Sequence, residues 1–186
     1  MAIQHSVVAV PARLQSSRLP NKVLADIGGM PMIQRVLERC REASSVEAVV
    51  LCTDSSELQS LAEGWGFPVL MTSSSCSSGS ERIASVADQL LALAWGPELP
   101  LAEQTAVINV QGDQPFIDPT VIDAMVSEFR RRDPVPAVVT PVYGLQPSTV
   151  HNPNVVKTLM AHDGRALYFS RSAIPHVRDV DPAEWH

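Results

Sequence analysis

Apolar residues recur along this chain in two alternating rhythms. Short unbroken runs, Val7-Val8-Ala9-Val10, Val46 to Cys52 and Thr105 to Val110, read as buried strands, and Pro68-Val69-Leu70-Met71 as a short strand. Ala137 to Val142 reads the same way. Between these runs the spacing becomes helical. Met32, Ile33, Val36, Leu37 and Cys40 share one face behind Pro31, opposite Arg35, Glu38, Arg39 and Glu42. Leu58, Leu61, Ala62 and Trp65 share another, with Asp54 or Ser55 as its cap and Gly64 or Gly66 as its stop. Asp54, at a strand end, reads as a cap rather than a ligand. Ile83, Val86, Ala87, Leu90 and Leu91 predict one strong helix. Asp118-Pro119 opens a last helix that buries Ile122, Met125, Val126 and Phe129. It ends on Arg130-Arg131-Arg132, which complement its dipole and read as a solvated face.

This order predicts a three-layer α/β/α domain on a mostly parallel sheet, one domain over residues 1–186. Beyond Pro147 the pattern changes. A turn at Asn152-Pro153-Asn154 precedes a strand from Val155 to Met160, and Asp163-Gly164 joins it to Ala166–Ser170, a hairpin near the C-terminus. The tail from Ile174 to His186 has no clear period. In parallel sheets ligands bind beyond the carboxyl ends of the strands. The rule puts the loop after Val10 and Gln111-Gly112-Asp113 on one edge.

Composition sharpens that edge. The chain has 186 residues, 45% hydrophobic and 18% charged, with a formal net charge of -6. Against this acidic background the stretch Val10 to Lys22 carries Arg13, Arg18 and Lys22 and no acid. It suggests a polyphosphate seat, although a basic loop reads equally well as solvated surface. The acidic balance argues against a general nucleic-acid binder. No G-x-G-x-x-G follows the first strand and no G-x-x-x-x-G-K-[ST] occurs, which disfavours Rossmann dehydrogenases and P-loop NTPases. There remains a site of cations and one carboxylate, with Asp113 able to hold Mg²⁺ or to serve only as a turn residue. Ser78-Gly79-Ser80 offers backbone N–H groups at a helix start, and Arg82 in the first turn opposes the helix dipole, a hint of function. Cys40, Cys52 and Cys76 have no zinc spacing, and the first two read as core residues. The five histidines, His5, His151, His162, His176 and His186, show no ligand pattern. With no signal sequence or apolar run of membrane-span length, the expectation is a soluble cytoplasmic protein.

Several stretches together resemble one family. Pro11-Ala12-Arg13 through Ser17-Arg18-Leu19-Pro20-Asn21-Lys22, Gly29 to Ile33, Ser78 to Arg82, Asn109 to Pro115, Asn152 to Lys157 and Ala166 to Arg171 are similar, in order, to the 3-deoxy-manno-octulosonate cytidylyltransferases, or CMP-Kdo synthetases. The resemblance implies a nucleotide-diphospho-sugar transferase-like fold. It also implies attack of a sugar-acid hydroxyl on the α-phosphorus of CTP, giving CMP-Kdo and pyrophosphate for lipopolysaccharide synthesis. Arg13 and Lys22 match cations on the triphosphate, and Asp113 matches a Mg²⁺ ligand. Pro11 and Ala12 would line the nucleotide through their backbone, and Ser78 and Arg82 would bind around the cytosine. Gln111 would touch ribose or base, and Arg171 would hold the sugar carboxylate. A cytoplasmic homodimer with CTP and Kdo as small-molecule substrates, and neither nucleic acid nor membrane as partner, is implied too. Ser80 stands where the family usually has Thr, and Gln114 where it often has Glu. Family members continue further, with a second metal-binding Asp, so the chain is expected to be incomplete at its C-terminus. The alternatives are a truncated CTP-binding domain without turnover and a cytidylyltransferase for another sugar acid such as sialic acid, against which the Ser17-Arg18-Leu19-Pro20 run speaks.

Overall fold

Four of the apolar runs become parallel strands, β1 (His5–Ala12), β2 (Ala48–Thr53), β3 (Val69–Met71) and β4 (Thr105–Asn109), in the order β3-β2-β1-β4. The computed structural model describes residues 2–15, 19–96, 102–175, 178–181 and 184. It divides into two compact units, Met1–Pro141 and Val142–His186.

In the first unit, β1 is buried on both faces, which is why its sequence is apolar without alternation. Val8, Val10 and Ala12 point into one core with α1 (Met32–Arg41), α2 (Ser56–Gly64) and α5 (Pro119–Arg131). Val7 and Ala9 point the other way, against Ile83, Val86 and Leu90 of the segment holding α3 (Gly79–Ala84) and α4 (Ala87–Trp95). The three-layer expectation holds. Cys40 and Cys52 are fully buried in these cores, and burial pushes their thiols up to about 12 and about 11, the latter against the pull of the Arg82 charge.

The caps follow local chemistry. Ser55, not Asp54, caps α2, accepting from Leu58 N at 3.2 Å. Asp118 caps α5 through Thr120 N and Oγ1, with Pro119 in the first turn. The basic end of α5 is only partly free: Arg131 and Arg132 pair with Glu128, and Arg130 donates to Gln4 O. Asp123, also on α5, fixes that helix to the loop before β2. Burial opposes its ionisation, but hydrogen bonds from the side chain and backbone of Ser45, then of Ser44, outweigh this and bring its carboxyl down to about 2.

Two expectations are corrected. The single helix through Ile83 and Leu91 is two helices, because Val86 leaves helical geometry at φ -126° and ψ 18°. Ser85 Oγ donates back to Arg82 O at 2.7 Å, a local bond that competes with continuing the helix. The break leaves Ala87 exposed while Leu90 stays buried. Ala137–Val142 forms no strand. Pro134, Pro136 and Pro141 crowd it, no described strand pairs with it, and Val138 is 78% exposed. The Pro97–Pro100 loop and part of the tail lie outside the described residues.

The second unit holds the expected hairpin, β5 (Lys157–Met160) antiparallel to β6 (Ala166–Ser170), turned at Gly164 with φ +84°. Its anchor is Lys157, only 4% exposed, whose Nζ donates to Asn152 O at 3.0 Å, Val155 O at 2.8 Å and Arg171 O at 2.6 Å.

Candidate active site

The strand order reverses between β1 and β4: the chain winds outward through β2 and β3, then returns to the far side of β1. At such a switch point the loops leaving the two strands part and open a crevice. Here the crevice is a cleft of about 540 Å³ at the carboxyl ends of β1 and β4. Pro11, Ala12, Arg13 and Lys22 line it from the first stretch, Ser78, Gly79 and Arg82 from the second, and Gln111, Gly112 and Asp113 from the third. Every site residue expected from the sequence lies there except Arg171, which belongs to the second unit. Arg18, the third cation of the loop, lies outside the described residues.

Pro11 has no N–H to give, and it stands where this costs nothing, since β4 pairing has ended at Ala9↔Asn109. Two glycines let the backbones close around it. A Cβ on Gly79 would lie 2.8 Å from Pro11 Cγ, and one on Gly112 would lie 3.0 Å from Pro11 O. Lys22 sits in a short 3₁₀ turn, Lys22–Leu24, and its Nζ meets Asp113 Oδ2 at 2.8 Å, 91 residues away in sequence. Arg13 is exposed and has no ion pair or hydrogen bond with another described residue.

Ser78 caps α3, its Oγ accepting from Glu81 N at 3.1 Å, and so keeps its hydroxyl proton to donate. The Ser77 hydroxyl and backbone N–H hold the Glu81 carboxylate in return and lower its pKa. Gln111 Nε2 donates to Asn109 Oδ1 at 2.8 Å, and Asn109 Nδ2 to Ser80 Oγ at 3.3 Å, tying β4 to α3. Arg171 Nη1 donates to Pro153 O at 2.7 Å within its own unit.

Arg82 departs from expectation. It lies in the last turn of the short α3, where it agrees with the helix dipole, and it is 3% exposed. Its Nη2 donates to Asp54 Oδ2 at 3.0 Å and its Nη1 to Thr72 Oγ1. Asp54 therefore spends its carboxylate on Arg82 rather than on a cap. Sequence reasoning missed Asp54 and Thr72 as supports of this site. The available signal was their position, each directly after a strand on the ligand-binding edge.

No group of three or more His, Cys, Asp or Glu among the described residues could hold a metal ion. Asp113, half exposed, offers a single carboxylate. Mg²⁺ is held by one or two carboxylates plus substrate phosphates, so this donor suits a cation arriving with a polyphosphate. No helix among the described residues is long and apolar enough to cross a membrane.

A parallel sheet with a cation-lined crevice at its switch point, and neither glycine-rich phosphate loop, defines an α/β domain whose ligand edge suits an anion. Its family is settled by likeness. A cytidylyltransferase profile matches residues 7–183. The chain belongs to the cytidylyltransferase family. It is 44% identical over 174 residues to a 3-deoxy-manno-octulosonate cytidylyltransferase of Idiomarina loihiensis, covering 92% of this chain and 64% of that protein. It is 40% identical over 181 residues to the enzyme of that name from Chlorobium phaeovibrioides, covering 96% and 68%. The chain thus spans about two thirds of the length of these relatives, 64% and 68%. A solved CMP:2-keto-3-deoxy-manno-octonic acid synthetase complexed with CTP superposes with a TM-score of 0.83 at 34% identity, covering 95% of this chain and 68% of that one. A 4-diphosphocytidyl-2C-methyl-D-erythritol synthase shares the fold, with a TM-score of 0.53 at 11% identity, covering 69% of this chain and 56% of that one.

Proposed function

We propose that this chain carries the nucleotide site of an enzyme that transfers CMP from CTP to 3-deoxy-manno-octulosonate, releasing pyrophosphate. The observation that carries the reading is the convergence of three separate stretches on one cleft beside Arg13, a cation unpaired among the described residues. The names of the 40–44% identical relatives, and the CTP in the 34% identical structure, support the choice of substrates.

In this reading the nucleoside enters between Pro11 and Ser78, and the triphosphate lies towards Arg13 and Lys22. The sugar-acid hydroxyl loses its proton to solvent and forms a bond to the α-phosphorus while the bond from that phosphorus to the α,β-bridging oxygen breaks, the oxygen leaving with pyrophosphate. Charge then grows on the departing pyrophosphate, and phosphoryl-type transfer of this kind needs mainly positioning and neutralisation. Arg13 supplies a cation that is unpaired among the described residues, whereas Lys22 becomes available when its contact with Asp113 opens. Asp113 would hold Mg²⁺, which when bound adds further neutralisation of the phosphates. Ser78 has a hydroxyl proton and Gln111 an amide oxygen to offer the nucleoside. Arg171 has the guanidinium geometry for a carboxylate, so the sugar acid is assigned to it. Cytoplasmic lipopolysaccharide precursor synthesis is the setting that such a substrate implies.

The test is pyrophosphate release from CTP with Mg²⁺, with and without Kdo. Release should require Kdo, and Arg13→Ala and Asp113→Ala should each abolish it. Turnover of another sugar acid with none of Kdo would overturn the substrate, and near-wild-type rates in either variant would remove that residue from the site. CTP binding to the 186-residue chain without turnover is the result expected if it holds the nucleotide half alone.

A further inference from the structure

The cations of the cleft are held in two different states. Among the described residues Arg13 is exposed and unpaired, and Lys22, 40% exposed, pairs with Asp113. Arg82 is almost wholly buried, and two of its three guanidinium nitrogens are already committed, to Asp54 and to Thr72. Asp54 is itself 17% exposed and does not line the cleft, so it meets a bound molecule only through Arg82.

A buried guanidinium beside a half-buried carboxylate is close to neutral as a pair, yet its remaining N–H groups still donate in a fixed plane. Such a group gives little to a phosphate, whose binding gains from net charge. It suits an uncharged acceptor such as a base carbonyl, for which direction matters more than charge. We propose that Asp54 is a positioning residue: it fixes the plane of Arg82 and cancels its charge. That makes the Arg82 end of the cleft selective for the nucleoside and leaves the phosphates to Arg13 and Lys22. The inference rests on the nucleotide reading of the cleft and assigns its polarity.

Asp54→Asn keeps the shape of the side chain and removes its charge, so it separates these roles. Calorimetry on the 186-residue chain with Mg²⁺ compares two probes, CTP and inorganic tripolyphosphate, the second lacking a nucleoside. The wild type should prefer CTP. In Asp54→Asn that preference should fall about tenfold, the size of one directed hydrogen bond lost, while tripolyphosphate binds as well as before or better. Asp54→Glu, which restores the charge, should recover part of the preference. A general structural defect would weaken both probes in parallel, and that result, like an unchanged preference, overturns the proposal. Should Asp54→Asn fail to unfold cooperatively, Arg82→Lys keeps the charge and loses the planar fork; it should show the same loss of preference, and retention overturns the proposal. A wild-type chain that binds neither probe overturns the nucleotide reading itself, and this inference with it.

Discussion

Gly112 tests the claim that the cleft floor is set by close approach of backbones. It stands between β4 and Asp113, and its φ is not in the left-handed region, so an alanine there is strained only by what it touches. A Cβ would meet Pro11 O at 3.0 Å, Ile33 Cδ1 at 3.1 Å and Ala12 Cβ at 3.2 Å. The first of these belongs to the backbone of β1 where it is still paired with β2, and the third is fixed to that strand. Neither can swing aside as a flexible side chain would. Overpacking of this kind costs about 1–3 kcal/mol. In the absence of a clash, Gly→Ala stabilises by about 0.4–1 kcal/mol through the unfolded chain, so the sign of the effect is diagnostic. Gly64, in α2 with nothing within 4 Å of its would-be Cβ, is the internal control. Urea titration should show Gly112→Ala with a lower midpoint at unchanged slope, and Gly64→Ala with a raised one. The corresponding thermal midpoint of Gly112→Ala should fall by roughly 3–10 °C. Because the displaced residue adjoins Asp113, CTP affinity should fall with it. A Gly112→Ala protein as stable as the wild type would refute the reasoning, since the floor would then have room that these distances deny it.

Two further outcomes follow from single groups. Asp123 has a folded pKa of about 2 against an ordinary 3.8, so its hydrogen bonds stabilise the fold fully above the unfolded value, and this is lost as pH falls towards 2. Asp123→Asn should flatten the dependence of stability on pH between about 5 and 2, removing about 1–2 kcal/mol near neutrality once solvent screening is allowed for; an unchanged slope in acid denaturation would refute it. Lys157→Met removes a buried donor from three carbonyls. The hairpin unit should lose about 2–3 kcal/mol, read as faster amide exchange across β5 and β6, and unchanged protection would show that the lysine is not its anchor.

Much of the first unit was legible in the chain because its signals are local. The continuous apolar runs of β1 and β2 required strands buried on both faces, whereas Thr105 to Val110, read as buried, is an edge strand whose Val107 is 40% exposed. The 3.6-residue spacing of Ile33, Val36, Leu37 and Cys40 required a helix with one wet side. Asp118-Pro119 marked a helix start by chemistry that needs no distant partner. Where a local signal was ambiguous, tertiary context decided. The run Ala137–Val142 looks like a strand, but a strand exists only with a ladder to join, and none is offered to it among the described residues. Ile83 to Leu91 kept its helical spacing, yet the chain broke at Val86, and α3 turned Arg82 inward.

The basic loop after β1 and the Gln111-Gly112-Asp113 turn were each visible in the sequence as chemistry without an address. Sheet topology supplied the address. With β4 beside β1, Lys22 and Asp113 meet at 2.8 Å across 91 residues, a distance that no periodicity encodes. Asp54 shows the same division most plainly. Its residue type allowed a cap, and a cap was the cheaper local solution. Only the folding of β2 against α3 placed a buried guanidinium within its reach, and the cost of leaving that charge unpaired decided its role.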